Sequence, residues 1–205
     1  MHDEVLTKQA TSLVPDLARF DDFYLAGGTA LALQLGHRRS VDFDLFSSQS
    51  LPDHLLQKIK RQFASNKIEV TYRSTEQLNL IIDGVQVTFL SYPYPVIEPL
   101  ASYQGLALVS VREIATMKAF AIGKRLAYKD YVDWYYLLKN NHVGLSAVIT
   151  LAKEKFGGDF NDRLFLGQLV SWDDVPTQAI DFLNKAASRE EIDSYLKTTV
   201  KNFQF

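Results

Sequence analysis

The sequence predicts an α+β protein, a mixed sheet with flanking helices over residues 1–100 followed by a helical region over residues 101–205 packed against it. Three observations predict it. In the first hundred residues, short β-branched and aromatic runs alternate with runs of helix formers, the pattern of a sheet backed by helices. The prolines of Tyr92-Pro93-Tyr94-Pro95 and Pro99 interrupt that alternation and mark a linker or crossover. Beyond them the apolar residues recur at helical spacing. With 205 residues and 47% hydrophobic content the chain can bury an ordinary core, and it carries no internal repeat or low-complexity segment.

Each element follows from local chemistry. Residues 4–19 place Val5, Leu13, Leu17 and Ala18 as core candidates of a helix. Residues 23–25 read as a short strand running into Gly27 and Gly28. Residues 29–35 are strong helix formers stopped by Gly36, a C-terminal cap. Residues 41–46 read as a strand bearing Asp42 and Asp44, and Pro52 opens a helix to about residue 64. Three strands follow at 68–72, 78–82 and 85–91, the last two joined by the turn pair Asp83-Gly84. The helical half has segments near 111–124, 128–140, 144–156, 160–169, 176–187 and 189–200.

Bulk properties narrow the function. A formal net charge of -2 gives no global pull toward nucleic acid or an anionic membrane, so a polynucleotide partner needs a local basic patch. Basic residues gather at His37-Arg38-Arg39 and from Lys118 to Lys129. The absence of cysteine excludes disulfides and thiolate zinc sites. The polar start Met1-His2-Asp3-Glu4 differs from a signal peptide, and no apolar run approaches the roughly 20 residues that cross a bilayer. The expectation is a soluble cytoplasmic protein without a membrane partner.

The chemistry concentrates between residues 25 and 46. Gly27 and Gly28 let the backbone approach a ligand closely, and Thr29 stands in the first turn of a helix, where N–H groups favour anions. Asp42 and Asp44 alternate with apolar neighbours on a strand, which puts their Cα atoms about 6.6 Å apart on one face. Such a pair can share a hard divalent cation through oxygen ligands, magnesium rather than zinc. Alternation alone also describes the wet face of a half-buried strand, and Gly-Gly before a helix is also an ordinary tight turn. The order strand, Gly-Gly-Thr, helix, acidic strand brings phosphate donors and metal ligands to one end of one sheet.

These residues carry a resemblance. The segment Gly27-Gly28-Thr29-Ala30-Leu31, the step Gly36-His37-Arg38, Ser40 and the segment Asp42-Phe43-Asp44-Leu45-Phe46 resemble the signature of the AbiEii/AbiGii nucleotidyltransferase-like toxins, members of the polymerase β-like nucleotidyltransferase superfamily. A second block, Met117-Lys118 through Arg125 to Lys129-Asp130 and Asp133, is similar to the family's downstream lysine, arginine and Lys-Asp motif. The resemblance implies a polymerase β-like mixed sheet and transfer of a nucleoside monophosphate from an NTP to an RNA, protein or small-molecule hydroxyl. Asp42 and Asp44 would hold Mg2+ or Mn2+, and Lys118 would face the triphosphate. Gly27, Gly28, Thr29, Arg38, Ser40 and Arg125 would serve nucleotide binding, and Lys129, Asp130 and Asp133 form the helix motif. An antitoxin protein is an implied partner.

Read without the resemblance, Lys118 and Arg125 share a helical face, and Lys129 with Asp133 is an i,i+4 surface pair worth about 0.2–0.5 kcal/mol. His37 reads as a hydrogen-bonding residue of the turn between helix and strand. Active superfamily members place a third carboxylate on a later strand. Here Thr88 stands at that position with Gln86 beside it, neither of them a base, and Asp83 belongs to a turn. A catalytically weak or inactive member that binds nucleotide or a protein partner is therefore the alternative. Trp134 and Tyr135 read as core, while Tyr92, Tyr94 and Tyr103 are open to stacking on a base.

Overall fold

The computed structural model describes residues 1–122, Lys124 and residues 127–204, and the chain divides into two compact units, Met1–Ser110 and Val111–Phe205. The first holds strands β1 (Tyr24–Ala26), β2 (Phe43–Ser47), β3 (Ile68–Arg73), β4 (Gln77–Ile82), β5 (Val85–Ser91), β6 (Ala101–Tyr103) and β7 (Leu106–Leu108), with helices α1 (Lys8–Leu17), α2 (Gly27–Leu35) and α3 (Leu55–Gln62). The strands form one sheet in the order β3-β4-β5-β2-β1-β7-β6. It is mixed: β2 runs antiparallel to β1 and parallel to β5, while β1 runs parallel to β7.

Alternation decides which face is covered. Leu78, Leu80, Ile82, Val87 and Phe89 are buried together with Phe43 and Leu45. Their neighbours on the other face, including Asn79, Thr88 and Asp44, stay half-exposed. Phe20, just beyond α1, stacks on Phe63 at 6.4 Å and tilts onto Phe89 at 5.3 Å, which seals the covered face. Each such ring contributes roughly 1.5–3 kcal/mol by burial. At the β4–β5 turn, the Asp83 carboxylate accepts from Asn66 Nδ2 at 2.7 Å and from the Lys67 N–H at 2.8 Å. These bonds, the Asn66 one foremost, hold its pKa below the ordinary carboxylate value. Asp83 is a turn-former, as its place before Gly84 suggests.

Two features depart from the sequence reading. The hairpin β6–β7 lies past the prolines and still joins the sheet, its turn Gln104-Gly105 using φ of 50° and 86°. Leu106 and Leu108 are buried by that pairing, and Leu108 is the register partner of Leu25. In the second unit, residues 176–187 form no helix. Side-chain donors hold this loop and the chain that enters it. Arg189 donates to the carbonyls of Val175 at 2.7 Å, Trp172 at 3.1 Å and Asp173 at 3.2 Å, and the Tyr136 hydroxyl donates to that of Lys185 at 2.6 Å.

The second unit consists of α4 (Val111–Ala121), α5 (Tyr128–Lys139), α6 (Leu145–Phe156), α7 (Asp162–Val170) and α8 (Arg189–Lys201). Trp134 and Tyr135 on α5 are core residues, Trp134 lying against Phe165 at 5.1 Å. A fully buried ion pair, Lys155 Nζ to Glu113 Oε1 at 2.6 Å, ties α6 to α4. Among the described residues no helix is long and apolar enough to cross a membrane.

Candidate active site

Strand β1 ends at Ala26 and α2 begins at once, so the chain must turn within a single residue. Gly27 makes that turn at φ 70°, in the left-handed region that costs a side-chain-bearing residue about 1–2 kcal/mol. Space forbids a side chain there as well. A Cβ at Gly27 would lie 2.7 Å from Asp44 Oδ2, because Ala26 is the register partner of Asp44. The carboxylate of Asp44 therefore rests against the turn.

The neighbouring residue is enclosed by polar groups. A Cβ at Gly28 would lie 2.8 Å from a terminal nitrogen of Arg38 and 3.3 Å from Ser40 Oγ. Buried Thr29 has its Oγ1 2.9 Å from Ser40 Oγ and donates to the Asp42 carbonyl. That pins the first turn of α2 to the segment entering β2. The N-cap residue Ala26 brings no side-chain acceptor to the first turn of α2, and the N–H groups of a helix start favour an anion. Gly27, Gly28, Thr29, Arg38, Ser40, the main chain of Asp42 and the carboxylate of Asp44 thus meet in one place.

The acids differ slightly from the sequence expectation, since β2 begins at Phe43 and Asp42 precedes it. Both are half-exposed while Phe43 and Leu45 are buried. Across the sheet, Asp44 pairs with Thr88 and Thr88 pairs with Asn79. The position beside Asp44 is a hydroxyl and the next one an amide, while Gln86 is exposed. Among the described residues no group of three or more histidines or acids could hold a metal ion. Asp42 and Asp44 would offer two carboxylates, a donor type suited to magnesium or manganese.

The second block lies in the second unit. Lys118 is buried on α4, its Nζ 2.8 Å from Asp130 Oδ1 and 2.7 Å from Asp133 Oδ2 on α5. Burial opposes its charge, but the carboxylates of Asp133 and Asp130 outweigh burial and raise its pKa above the ordinary lysine value. Asp133 is completely buried, so the expected surface pair with Lys129 gives way to a buried cluster around Lys118. Lys129 is half-buried on α5. Helix α4 ends at Ala121, short of Arg125, which lies outside the described residues. His37 is buried between α2 and β2.

Residues 12–204 match the family model described as the nucleotidyl transferase AbiEii toxin of type IV toxin–antitoxin systems. The chain belongs to the AbiEii nucleotidyltransferase family. An uncharacterized protein of Aquifex aeolicus is 31% identical to this AbiEii-family chain over 200 residues, covering 96% of it and 95% of the relative. A Helicobacter pylori structure solved as that of a candidate nucleotidyltransferase superposes with a TM-score of 0.64 at 19% identity, over 95% of this chain and 94% of that one. A second H. pylori structure, that of JHP933, gives a TM-score of 0.58 at 18% identity, over 96% and 92%. These likenesses establish the nucleotidyltransferase-like α+β fold. Asp44 and Gly27 were readable as motif residues; that Asn79 stands in the same row as Asp44 was not, because strand register is non-local.

Proposed function

We propose that this nucleotidyltransferase uses magnesium to move a nucleoside monophosphate from an NTP to a hydroxyl on RNA, a protein or a small molecule. Its biological role in this reading is that of the toxin of a toxin–antitoxin pair, acting in the cytoplasm and countered by an antitoxin protein. The observation that carries the reading is the Asp44 carboxylate resting against the left-handed Gly27 turn at the start of α2. With no side chain at Gly27 or Gly28, the first turn of α2 lies directly against the Asp44 carboxylate and the Arg38 guanidinium, which adds a cation suited to phosphate. Thr29 acts indirectly, holding the turn to the acid-bearing segment through Ser40 and the Asp42 carbonyl.

Magnesium held by Asp42 and Asp44 would supply charge neutralisation of the triphosphate. In the transfer, the acceptor oxygen bonds to the α-phosphorus as the bond to the β-phosphate oxygen breaks, and pyrophosphate leaves. Thr88 and Gln86 on β5 offer no base, so the attacking hydroxyl's proton would pass to solvent water or to a phosphate oxygen of the substrate.

That same feature favours a second reading, a member that binds nucleotide with slow turnover or none. Incubation with α-labelled triphosphates, magnesium and candidate acceptors separates the two. The first reading expects pyrophosphate release and label transfer by the parent, with a loss of at least roughly a hundredfold in Asp44→Ala. Tight magnesium–triphosphate binding without transfer supports the second, and neither binding nor transfer contradicts both.

A further inference from the structure

Asp44, Thr88, Asn79 and Tyr72 lie in one row across the sheet, each the register partner of the next. At a strand spacing of about 4.8 Å, Asn79 stands roughly 10 Å and Tyr72 roughly 14 Å from Asp44. In β4, Leu78, Leu80 and Ile82 are buried while Gln77, Asn79 and Ile81 are half-exposed, so Asn79 shares the face of Asp44. Tyr72 reaches that face only through a β-bulge. Strand β3 pairs Val70 with Leu80 but Tyr72 with Asn79, leaving Thr71 as the extra residue. Without it, Tyr72 would take the face of Val70 and Leu80.

Bulges re-aim side chains, and this one turns an aromatic ring that is 52% exposed toward the acid-bearing face. A ring so exposed gains little for the core. The bulge also spoils β3 for regular pairing with a strand of another chain, which argues against edge docking. Beside Tyr72, Asn79 Oδ1 accepts from Gln77 Nε2 at 2.9 Å, an orientation in which the Asn79 NH2 donors are not consumed by that bond.

We propose that Tyr72 and Asn79 form a nucleobase subsite, the base stacking on the Tyr72 ring and presenting its hydrogen-bonding edge to the Asn79 amide. The proposal rests on the reading of the Gly27–Asp44 cleft as a triphosphate site. The base belongs to the incoming nucleotide or to a polynucleotide acceptor, which share the flat ring and polar edge that this pair recognises.

The test compares the parent with Tyr72→Ala and Tyr72→Phe, at an exposed edge position where neither change disturbs the core. Affinities are measured with magnesium for inorganic triphosphate, the common nucleoside triphosphates and a short single-stranded oligoribonucleotide. Tyr72→Ala is expected to weaken base-containing probes by roughly 5- to 150-fold, with Tyr72→Phe near the parent and inorganic triphosphate unchanged throughout. A loss confined to nucleoside triphosphates assigns the base to the incoming nucleotide, and one confined to the oligonucleotide assigns it to the acceptor. Equal affinities of parent and Tyr72→Ala for every probe overturn the subsite. Failure of the parent to bind inorganic triphosphate overturns instead the cleft reading beneath it.

Discussion

Gly27 is the residue at which turn, helix and acid meet, and its neighbour makes a built-in control. A methyl group at Gly27 meets the Asp44 carboxylate at 2.7 Å on a backbone already at φ 70°. Gly27→Ala should therefore cost roughly 1–3 kcal/mol in denaturant unfolding and displace Asp44, with transfer activity lost. Gly28→Ala, on a backbone without the left-handed φ of Gly27, meets the far end of Arg38 at 2.8 Å and Ser40 Oγ at 3.3 Å, so its stability loss should be smaller while triphosphate affinity falls. Equal stability losses in the two variants would contradict this account of the turn. The motif residues were legible in the sequence because a glycine pair and an Asp-x-Asp pattern are local signals. The partner of Thr29 was not, since its hydroxyl is bound by Ser40 and Asp42 across the turn rather than left for a ligand.

Helices α4 and α5 owe part of their pairing to Lys118, which lies between two buried carboxylates. Removing the ammonium in Lys118→Ala leaves Asp130 and Asp133 buried with their main counter-charge gone, at a cost of about 3–5 kcal/mol in urea unfolding. The pH dependence has a definite sign. Because the folded pKa of Lys118 is raised, its contribution is fully present below the unfolded value of 10.5 and fades as pH rises through the higher folded value. The gap between parent and variant should thus hold across neutral pH and close only in alkali. Lost activity in a Lys118 variant speaks to catalysis only where the fold is intact. In sequence these charges look like an exposed helix face, since burial depends on which helices pack together. The helix expected at residues 176–187 is a loop, and the chain entering it is held by Arg189, which donates to the carbonyls of Trp172, Asp173 and Val175, a pairing no local pattern shows.

For the molecule as a whole, strands β2 to β5 and most helices were legible because each carries its own periodicity, and the three-residue β1 because it runs into the glycine pair. The hairpin β6–β7 was not, because three-residue strands are too short to show alternation and β7 is fixed by its parallel pairing with β1. Sheet order, set by long-range pairing, lay equally out of reach, and with it the row that joins Asp44 to Tyr72. The net charge of -2 leaves the recognition of a charged ligand in the proposed reading to local groups, and the Gly27 turn brings the Asp44 carboxylate and, beside Gly28, the Arg38 guanidinium together. The most direct measurement is a titration of manganese and a non-hydrolysable triphosphate, read by electron paramagnetic resonance, in the parent and in Asp44→Asn with matched unfolding midpoints. The account predicts an immobilised manganese–triphosphate complex in the parent and binding at least roughly tenfold weaker in the variant; equal binding by the two proteins, or none by the parent, would contradict it.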